Sequence, residues 1–505
     1  MIAGGWIWFL PLPWEWRIAL SIAIPCELGV TELPRRLPAD VSANSQESSV
    51  SIEVPPHPPR RVPILGDIIG LDPVKPMQNT ARILASLGPI YQRRILTMRL
   101  SFIGGVDLAE DVNDEKRWQK NLARPLRQLR PISGDGLFTA ENDEPNWSKA
   151  HAILMPGFTQ AAMRSYHDTM LDVVREMVGA WDHADAPVDV SEEMSKLTLE
   201  TIGRAGFGYR FNSYDREDID PFVTAMLGAL EYIQQKGLPI PGRALFDRRR
   251  RRRHTADVEY LNAVVDRVVE DRQVNSADRP DLLTLMLESV DPATGERLDP
   301  VNIRYQILTF LVAGHETSAG ALSFALWLLS QHPEEAVKAR AEVDALWPSR
   351  EIPAVEFDQV GKLRAVRRVL DETLRLWPTA PGYFREAKED TLLGGKYAFK
   401  KGDWVMVVLQ RVHCDKAVWG ADADEFRPDR FLPEQVRARS GAAYKPFGTG
   451  PRACIGRQFA YHEMLMALAV ILHRYEFTAD PSYELEVQEQ LTMRPRGFAL
   501  TVTRR

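Results

Sequence analysis

The sequence predicts a mainly α protein with a small β portion, an α+β fold. Three observations predict it. Helical periodicity runs through most of residues 109–343, in segments opened by Asp, Ser or Pro. One stretch, residues 302–332, is long, largely apolar and stopped by Pro333. Between residues 383 and 408 the pattern shortens to strands, punctuated by turns at Gly394-Gly395 and Lys401-Gly402.

The 505 residues are 45% hydrophobic and 26% charged, which excludes a disordered or collagen-like chain. The net charge is -6, so the basic excess that nucleic-acid binding needs is missing. Three cysteines, Cys26, Cys414 and Cys454, are too few for a disulfide scaffold. They suit a reducing compartment, and a cytoplasmic location is expected.

Residues 1–30 are apolar and carry Trp6, Trp8, Trp14 and Trp16. Pro11, Pro13, Glu15 and Arg17 break the run before the roughly 20 apolar residues a membrane span needs. There is no basic leader and no small-residue cleavage site. A peripheral membrane-surface segment, a poorly ordered extension and a misassigned start all fit. Residues 42–51 read as a polar linker, and Pro55, Pro56, Pro58 and Pro59 as a stiff hinge. Two regions are therefore expected: an extension over 1–51 and a folded body over 52–505.

Within the body, residues 167–181 and 256–271 read as helices. Six consecutive arginines, Arg248–Arg253, read as a solvated loop leading into the second of these. An anionic membrane surface or an acidic partner are the alternatives. The helix at 302–332 would span about 45 Å. Residues 307–329 are apolar on every face, so that part is buried or crosses a membrane. Gly314, His315, Glu316 and Thr317 sit in its middle, where polar groups cost free energy unless paired or functional. A core helix lining a cavity accounts for them. Helix returns at 458–473, and the C-terminus alternates like strands.

The sharpest local signal is Phe447-Gly-Thr-Gly450-Pro-Arg452-Ala-Cys454-Ile-Gly456. A cysteine between glycines, ahead of a helix, has backbone free to curl around its sulfur. The helix dipole and first-turn N–H groups favour the thiolate. A thiolate suits an axial metal site, and on haem iron it pushes electron density toward O–O cleavage. Arg452 can pair with a propionate, and Phe447 can shield the sulfur. A buried structural cysteine is the competing reading, and the six fixed positions over ten residues outweigh it.

This pattern resembles the signature of the cytochrome P450 family. Glu372-Thr-Leu-Arg375 resembles that family's Glu-x-x-Arg motif, although Glu32…Arg35 and Glu434…Arg437 match the same spacing. Phe426-Arg-Pro-Asp-Arg430-Phe431 resembles the segment that supplies a third member, Arg430. The resemblance implies a buried Glu372–Arg375–Arg430 network with a structural role. Further stretches resemble the fatty-acid hydroxylases of bacilli and fungi whose haem domain is fused to a flavin reductase. They are Gly134-Asp-Gly-Leu-Phe138-Thr, Asn146-Trp147-Ser-Lys-Ala-His151, Asn302-Ile-Arg-Tyr-Gln, Leu376-Trp-Pro-Thr-Ala-Pro381 and residues 444–463. The likeness runs from about Pro55 to the C-terminus. It implies the cytochrome P450 fold, with a long central helix over haem b and Cys454 as axial thiolate.

The same resemblance implies roles. Ala313-Gly314-His315-Glu316-Thr317 matches the oxygen-activating motif. Gly314 lets a small ligand approach, Thr317 offers a hydroxyl and Glu316 feeds protons through water. Back-bonding of Thr317 within its helix is the alternative. Trp147, His151, Lys120 and Arg452 fall where the family contacts haem propionates. Phe138 stands over the haem and Ala313 lines the pocket. The related hydroxylases hold the substrate carboxylate with an Arg and a Tyr, and those places hold Met98 and Phe102 here. Arg99 is one residue off, and a one-residue slip would turn it to the other face. Either Arg99 substitutes after a register shift, or the anchor is gone and the substrate is a neutral polyketide- or terpenoid-like molecule.

The leading expectation is a monooxygenase acting on a medium- or long-chain fatty acid with O2. No flavin or NADPH domain follows residue 505, so electrons are expected from a separate NADPH-dependent flavin reductase. It would dock near Arg452 and Arg457. A peroxide-driven peroxygenase and a non-enzymatic haem sensor compete, and the intact Glu316–Thr317 pair favours the monooxygenase.

Overall fold

A computed structural model describes residues 51–216, 218, 220–236, 248–275, 280–349 and 351–505. The N-terminal segment expected at a membrane surface, residues 1–30, lies outside the described residues, as do Cys26 and most of the linker.

The body opens with helix α1 (Pro76–Leu87) laid on a hairpin of β1 (Ile90–Ile95) and β2 (Met98–Ile103). Strand β3 (Trp118–Lys120) and helix α2 (Pro145–Leu154) follow. Next come α3 (Gln160–Asp182), α4 (Val190–Phe207), α5 (Pro221–Lys236) and α6 (Arg248–Val274). Helix α7 (Pro300–Gln331) is the central one, and α8 (Arg364–Leu376) leads into β4 (Gly382–Ala387) and β5 (Trp404–Val408). Helix α9 (Arg457–Arg474) is followed by β6 (Tyr475–Ala479), the hairpin β7 (Val487–Glu489) and β8 (Met493–Pro495), and β9 (Ala499–Arg504).

The main sheet has the order β1-β2-β5-β4-β3. Only β2 and β5 run parallel in it. The sheet thus joins the start of the body to strands beyond all the large helices up to α8. A second sheet pairs β9 with β6 and with residues Val188–Asp189.

Helix α7 starts where the Asp299 carboxylate accepts from Asn302 N at 2.9 Å and Pro300 occupies the first turn. It stops before Pro333, which cannot continue it. Its apolar faces pack against α4, α8, α9 and the β8 strand. Burial within the protein therefore accounts for the all-round apolar stretch. Among the described residues no helix is long and apolar enough to cross a membrane.

The structure differs from the sequence expectation at three places. Arg248–Arg253 form the first turns of α6 rather than a loop, with every one of these side chains exposed. Arginine is a good helix former, which extends the helix even though cations oppose the dipole at this end. Helix α3 begins at Gln160, seven positions before residue 167, because Thr159 caps it by accepting from Ala162 N at 3.3 Å. Strand β3 interrupts the stretch that reads as helical, held by antiparallel pairing with β4 and by the burial of Trp118 against Phe399.

Two buried histidines couple this core to pH. His167 Nδ1 lies 2.9 Å from His462 Nε2, and His167 Nε2 lies 2.8 Å from Val355 O. Burial, then the neighbouring His167, holds His462 down to about 4. His413 Nε2 accepts from Lys445 N, and burial with Arg375 holds it down to about 3. An unfolded histidine titrates near ~6.5, so the unfolded chain takes up protons first as pH falls. The stability from the two neutral rings is complete above that value and is lost progressively toward pH 4. The urea midpoint is expected to fall across this window, and His462→Gln to flatten the fall. An unchanged acid limb in the variant would remove His462 from the account.

Candidate active site

The Cys454 loop is shaped by two left-handed glycines. Gly448 and Gly450 both have φ near +70°, which L side chains rarely adopt. A Cβ at Gly450 would also sit 2.3 Å from Glu115 Oε1. The curl closes with Cys454 N donating to Phe447 O at 2.8 Å. Helix α9 then starts at Arg457, with Gly456 as its N-cap. Burial pushes the Cys454 thiol up, while the Gly456 N–H and the Arg457 charge pull it down. Cys454 has accessible surface, yet the protein around its sulfur is as dense as around an interior group. The Phe447 ring packs on Tyr461, 5.0 Å between centroids.

The other described cysteine is placed differently. Cys414 is buried beside Arg375, whose Nη1 lies 3.6 Å from its sulfur. Burial pushes this thiol up to about 11, so it keeps its proton. Arg375 itself makes a two-pronged pair with Glu372, at 2.6 and 2.7 Å. It also donates to the carbonyls of His413, Ala423 and Glu425. Glu372 further accepts from Arg427 N at 2.8 Å and pairs with Arg430 Nε at 3.5 Å. All members of the expected network are thus in contact.

A cluster of cationic groups lies beside the loop. The Arg452 guanidinium stacks 4.1 Å over the Trp147 ring, which in turn stacks on His151. Arg452 donates to the carbonyls of Ala140 and Glu141. Lys120 Nζ donates to Phe138 O at 2.5 Å. Among the described residues no carboxylate stands within ion-pair distance of Lys120, His151 or Arg452. Burial, then the Arg452 charge, pushes Lys120 down to about 7, and burial lowers Arg452 to about 10. His151 is lowered by the same two causes. Burial disfavours the charged form of all three groups, the Arg452 charge adds to it at Lys120 and His151, and among the described residues none of the three has a carboxylate in ion-pair contact.

On α7, Ala313, Gly314 and Thr317 are half-buried while the residues around them are buried. Thr317 Oγ1 donates to Ala313 O at 2.9 Å, the back-bond weighed as an alternative. A hydroxyl donating into its helix turns its lone pairs outward. Glu316 is buried, and Oε2 accepts from Thr492 Oγ1 at 3.1 Å, on the turn between β7 and β8. A Cβ at Gly314 would make ordinary contact with Ile202 of α4, so this position faces α4. Phe138 lines a small pocket with Leu129, Ile132, Ser133, Thr309 and Val312.

A ladder that the sequence reading did not assign holds Phe138 against α7. The Asp135 carboxylate accepts from Asn146 Nδ2 and from Asn302 Nδ2, at 2.7 and 2.8 Å. Gln306 bonds to Asn302 Oδ1 and accepts from Leu137 N. A Cβ at Gly136 would lie 2.3 Å from Thr309 Oγ1, so glycine lets this loop lie flat on the helix. The polar residues at 302 and 306, one turn apart in an apolar helix, were the signal.

Two expectations are corrected. The β1–β2 pairing is regular from Ile90↔Ile103 to Ile95↔Met98, with no slip. Arg99 therefore stays on the sheet face opposite to Phe102 and Met98, exposed, and does not replace their missing polar groups. Phe102 stacks on Tyr91 at 4.9 Å. Arg452 is turned inward onto Trp147 and the 140–141 carbonyls, leaving Arg457 as the exposed cation of the expected partner surface.

Comparison with known proteins agrees with this geometry. The family model "Cytochrome P450" matches residues 56–502, and the chain belongs to that family. It is 44% identical over 430 residues to a bifunctional cytochrome P450/NADPH–P450 reductase of Bacillus subtilis, covering 84% of this chain and 40% of that one. It is 40% identical to a self-sufficient cytochrome P450 monooxygenase of Exserohilum turcicum, covering 90% and 42%. The crystal structure of a cytochrome P450, CYP102L1, superposes with a TM-score of 0.85 at 45% identity, covering 90% of this chain and 100% of that one. The chain spans about two fifths of the length of the curated relatives it matches.

The donor set fits the family's haem. One cysteine sulfur stands at the head of α9, and the anion-deficient cluster suits two propionates. Arg452→Leu removes the cation stacked on Trp147, so faster haem transfer to apomyoglobin is expected. A transfer rate equal to that of the parent would exclude Arg452 from the cradle.

Proposed function

We propose that the protein is a haem-thiolate monooxygenase that hydroxylates a medium- or long-chain fatty acid with O2. The electrons come from NADPH through a flavin reductase. The single observation that carries the reading is the Cys454 loop, curled by Gly448 and Gly450 and closed at the head of α9, beside the cationic cluster of Lys120, His151 and Arg452. The relatives' names record a reductase in the same chain, and the exposed Arg457 side of the loop suits such a domain in cis or in trans.

When bound, the haem supplies reductive O2 activation and transfer of one oxygen atom to a C–H bond. The chain's residues do the rest. Cys454 would hold the iron through its sulfur, with Phe447 and the loop backbone beside it. Arg452, Lys120, Trp147 and His151 would hold the propionates, whose charge would favour the charged form of Lys120. Phe138, Leu129, Ile132 and Val312 exclude water and present one carbon of an alkyl chain. Thr317 turns its lone pairs to the cleft, ready to accept a hydrogen bond there. The Glu316 carboxylate, fixed by Thr492, is the nearby acid from which a proton is replenished. The Glu372–Arg375–Arg430 network takes no part in proton movement and keeps the loop's surroundings rigid.

Reduced protein with carbon monoxide is expected to show the long-wavelength Soret band of thiolate-ligated haem, and Cys454→Ser to lose it. Retention of that band in the variant, or its absence from the parent, would reject the assignment. Thr317→Ala is expected to keep the band and to divert NADPH electrons to hydrogen peroxide, lowering product per NADPH several-fold. An unchanged yield would remove Thr317 from proton handling.

A further inference from the structure

Helix α7 presents two different faces. Thr309 and Val312 border the pocket beside Phe138. Ile307, Leu311 and Gly314 recur at spacings of four and three, and share the face turned to α4. On that face the packing leaves a cavity of about 20 Å³ between α4, α5, α6 and α7. Its wall includes Gly203, Phe211, Phe222, Val265, Ile307 and Leu311, and among the described residues no polar atom faces into it. The Phe211 and Phe222 rings meet at 45°, with centroids 5.7 Å apart, rather than stacking. Valine is stiff at its side-chain root, so the α6 wall does not swing into the gap.

Size and chemistry together select the occupant. A single water needs roughly 10–15 Å³ and two to four polar partners. The room is present and the partners are not, so water is disfavoured. An alkyl chain is too long. A small apolar gas meets both conditions, since such a solute gains by leaving water for an apolar lining.

The cavity also lies beside a way through. Leu311 and Gly314 are about 4.5 Å apart along the helix axis. Gly314 is covered by Ile202, the chain neighbour of Gly203, whose Cγ1 lies 3.6 Å from where a Cβ would stand. Gly314 keeps accessible surface, as do Ala313 and Thr317. A turn of the Ile202 side chain lets a diatomic molecule pass from the cavity to Gly314.

We propose that this cavity binds dioxygen and delivers it past Ile202 to the Ala313–Gly314 side of α7. The proposal rests on the haem-thiolate reading above and adds a gas entrance on the other face of the helix from the alkyl pocket. Oxygen then keeps its own approach when a chain fills the space beside Phe138.

Two measurements test it. Crystals of the haem-loaded protein pressurised with krypton are expected to show the gas against Val265 and Leu311. Krypton only elsewhere, or nowhere, overturns the binding site. Val265→Ile adds one carbon to the cavity wall. After flash photolysis of carbon monoxide from the reduced protein, this variant is expected to rebind several-fold more slowly. Dissociation, read by displacement with nitric oxide, should slow by the same factor, because a passage is travelled in both directions. The equilibrium constant for carbon monoxide should stay that of the parent. Val268→Ile, on the same wall one helix turn further, repeats the measurement should the first variant not fold. Rates equal to the parent's overturn the passage. So does a change in one rate alone, which would mean that the added carbon reshapes the iron site. A parent without the long-wavelength carbon monoxide band overturns the haem reading and the passage together, whereas unchanged variant rates in a protein that shows the band overturn the passage alone.

Discussion

The buried pair of Glu372 and Arg375 is the constraint on which the rest of the molecule depends. Both side chains are sealed from water. A charge pair in that setting is tolerable only when its remaining donors and acceptors are met. Here they are met by backbone far along the chain: three carbonyls between residues 413 and 425, and the Arg427 N–H. Segments with little regular structure are thereby fastened to α8. The residue before Glu372 extends the hold, since Asp371 accepts from Tyr444 at 3.0 Å and Tyr461 at 2.5 Å. His413 accepts from Lys445 N. The approach to the cysteine loop and the helix that leaves it are therefore bound to one turn of α8.

Rigidity on one side of the cleft contrasts with adaptable chemistry on the other. The thiol loop is a backbone construction: glycine conformations, a closing N–H bond and a helix start. The oxygen-facing side is built of side chains on α7, where single hydroxyl and carboxyl groups interrupt an apolar surface. The division suits a site whose ligand sulfur must stay fixed while protons move opposite it. Removing Thr317 Oγ1 is therefore expected to be compatible with folding. Its bond is internal to one helix turn, and no other element relies on it.

Local features were legible in the sequence to the extent that one residue's environment is set by its neighbours. The cysteine loop, the long apolar helix and the short strands of 383–408 depend on glycine spacing, hydrophobic pattern and turn residues. What escaped depends on partners distant in the chain. The placement of β3 comes from pairing with β4. The orientation of Arg99 needs the β1–β2 register, which fixes which of two adjacent side chains faces α1. The inward turn of Arg452 needs Trp147 and the 140–141 carbonyls to be in place first. The start of α6 was missed for another reason: helix propensity of arginine prevailed over the electrostatic cost of a cationic N-terminus.

Lys120 ties two functions into one contact. Its ammonium belongs to the cluster that suits the cofactor's acidic arms, yet it donates to the main-chain oxygen of Phe138, the residue that borders the alkyl pocket. An anion that restores the lysine's charge strengthens that bond, and the strengthened bond steadies the aromatic ring. Linkage makes such an influence mutual. On the proposed reading, a chain seated against the ring would, by favouring its held position, tighten retention of the porphyrin, so a filled pocket and a firmly held prosthetic group would be two readings of the same equilibrium.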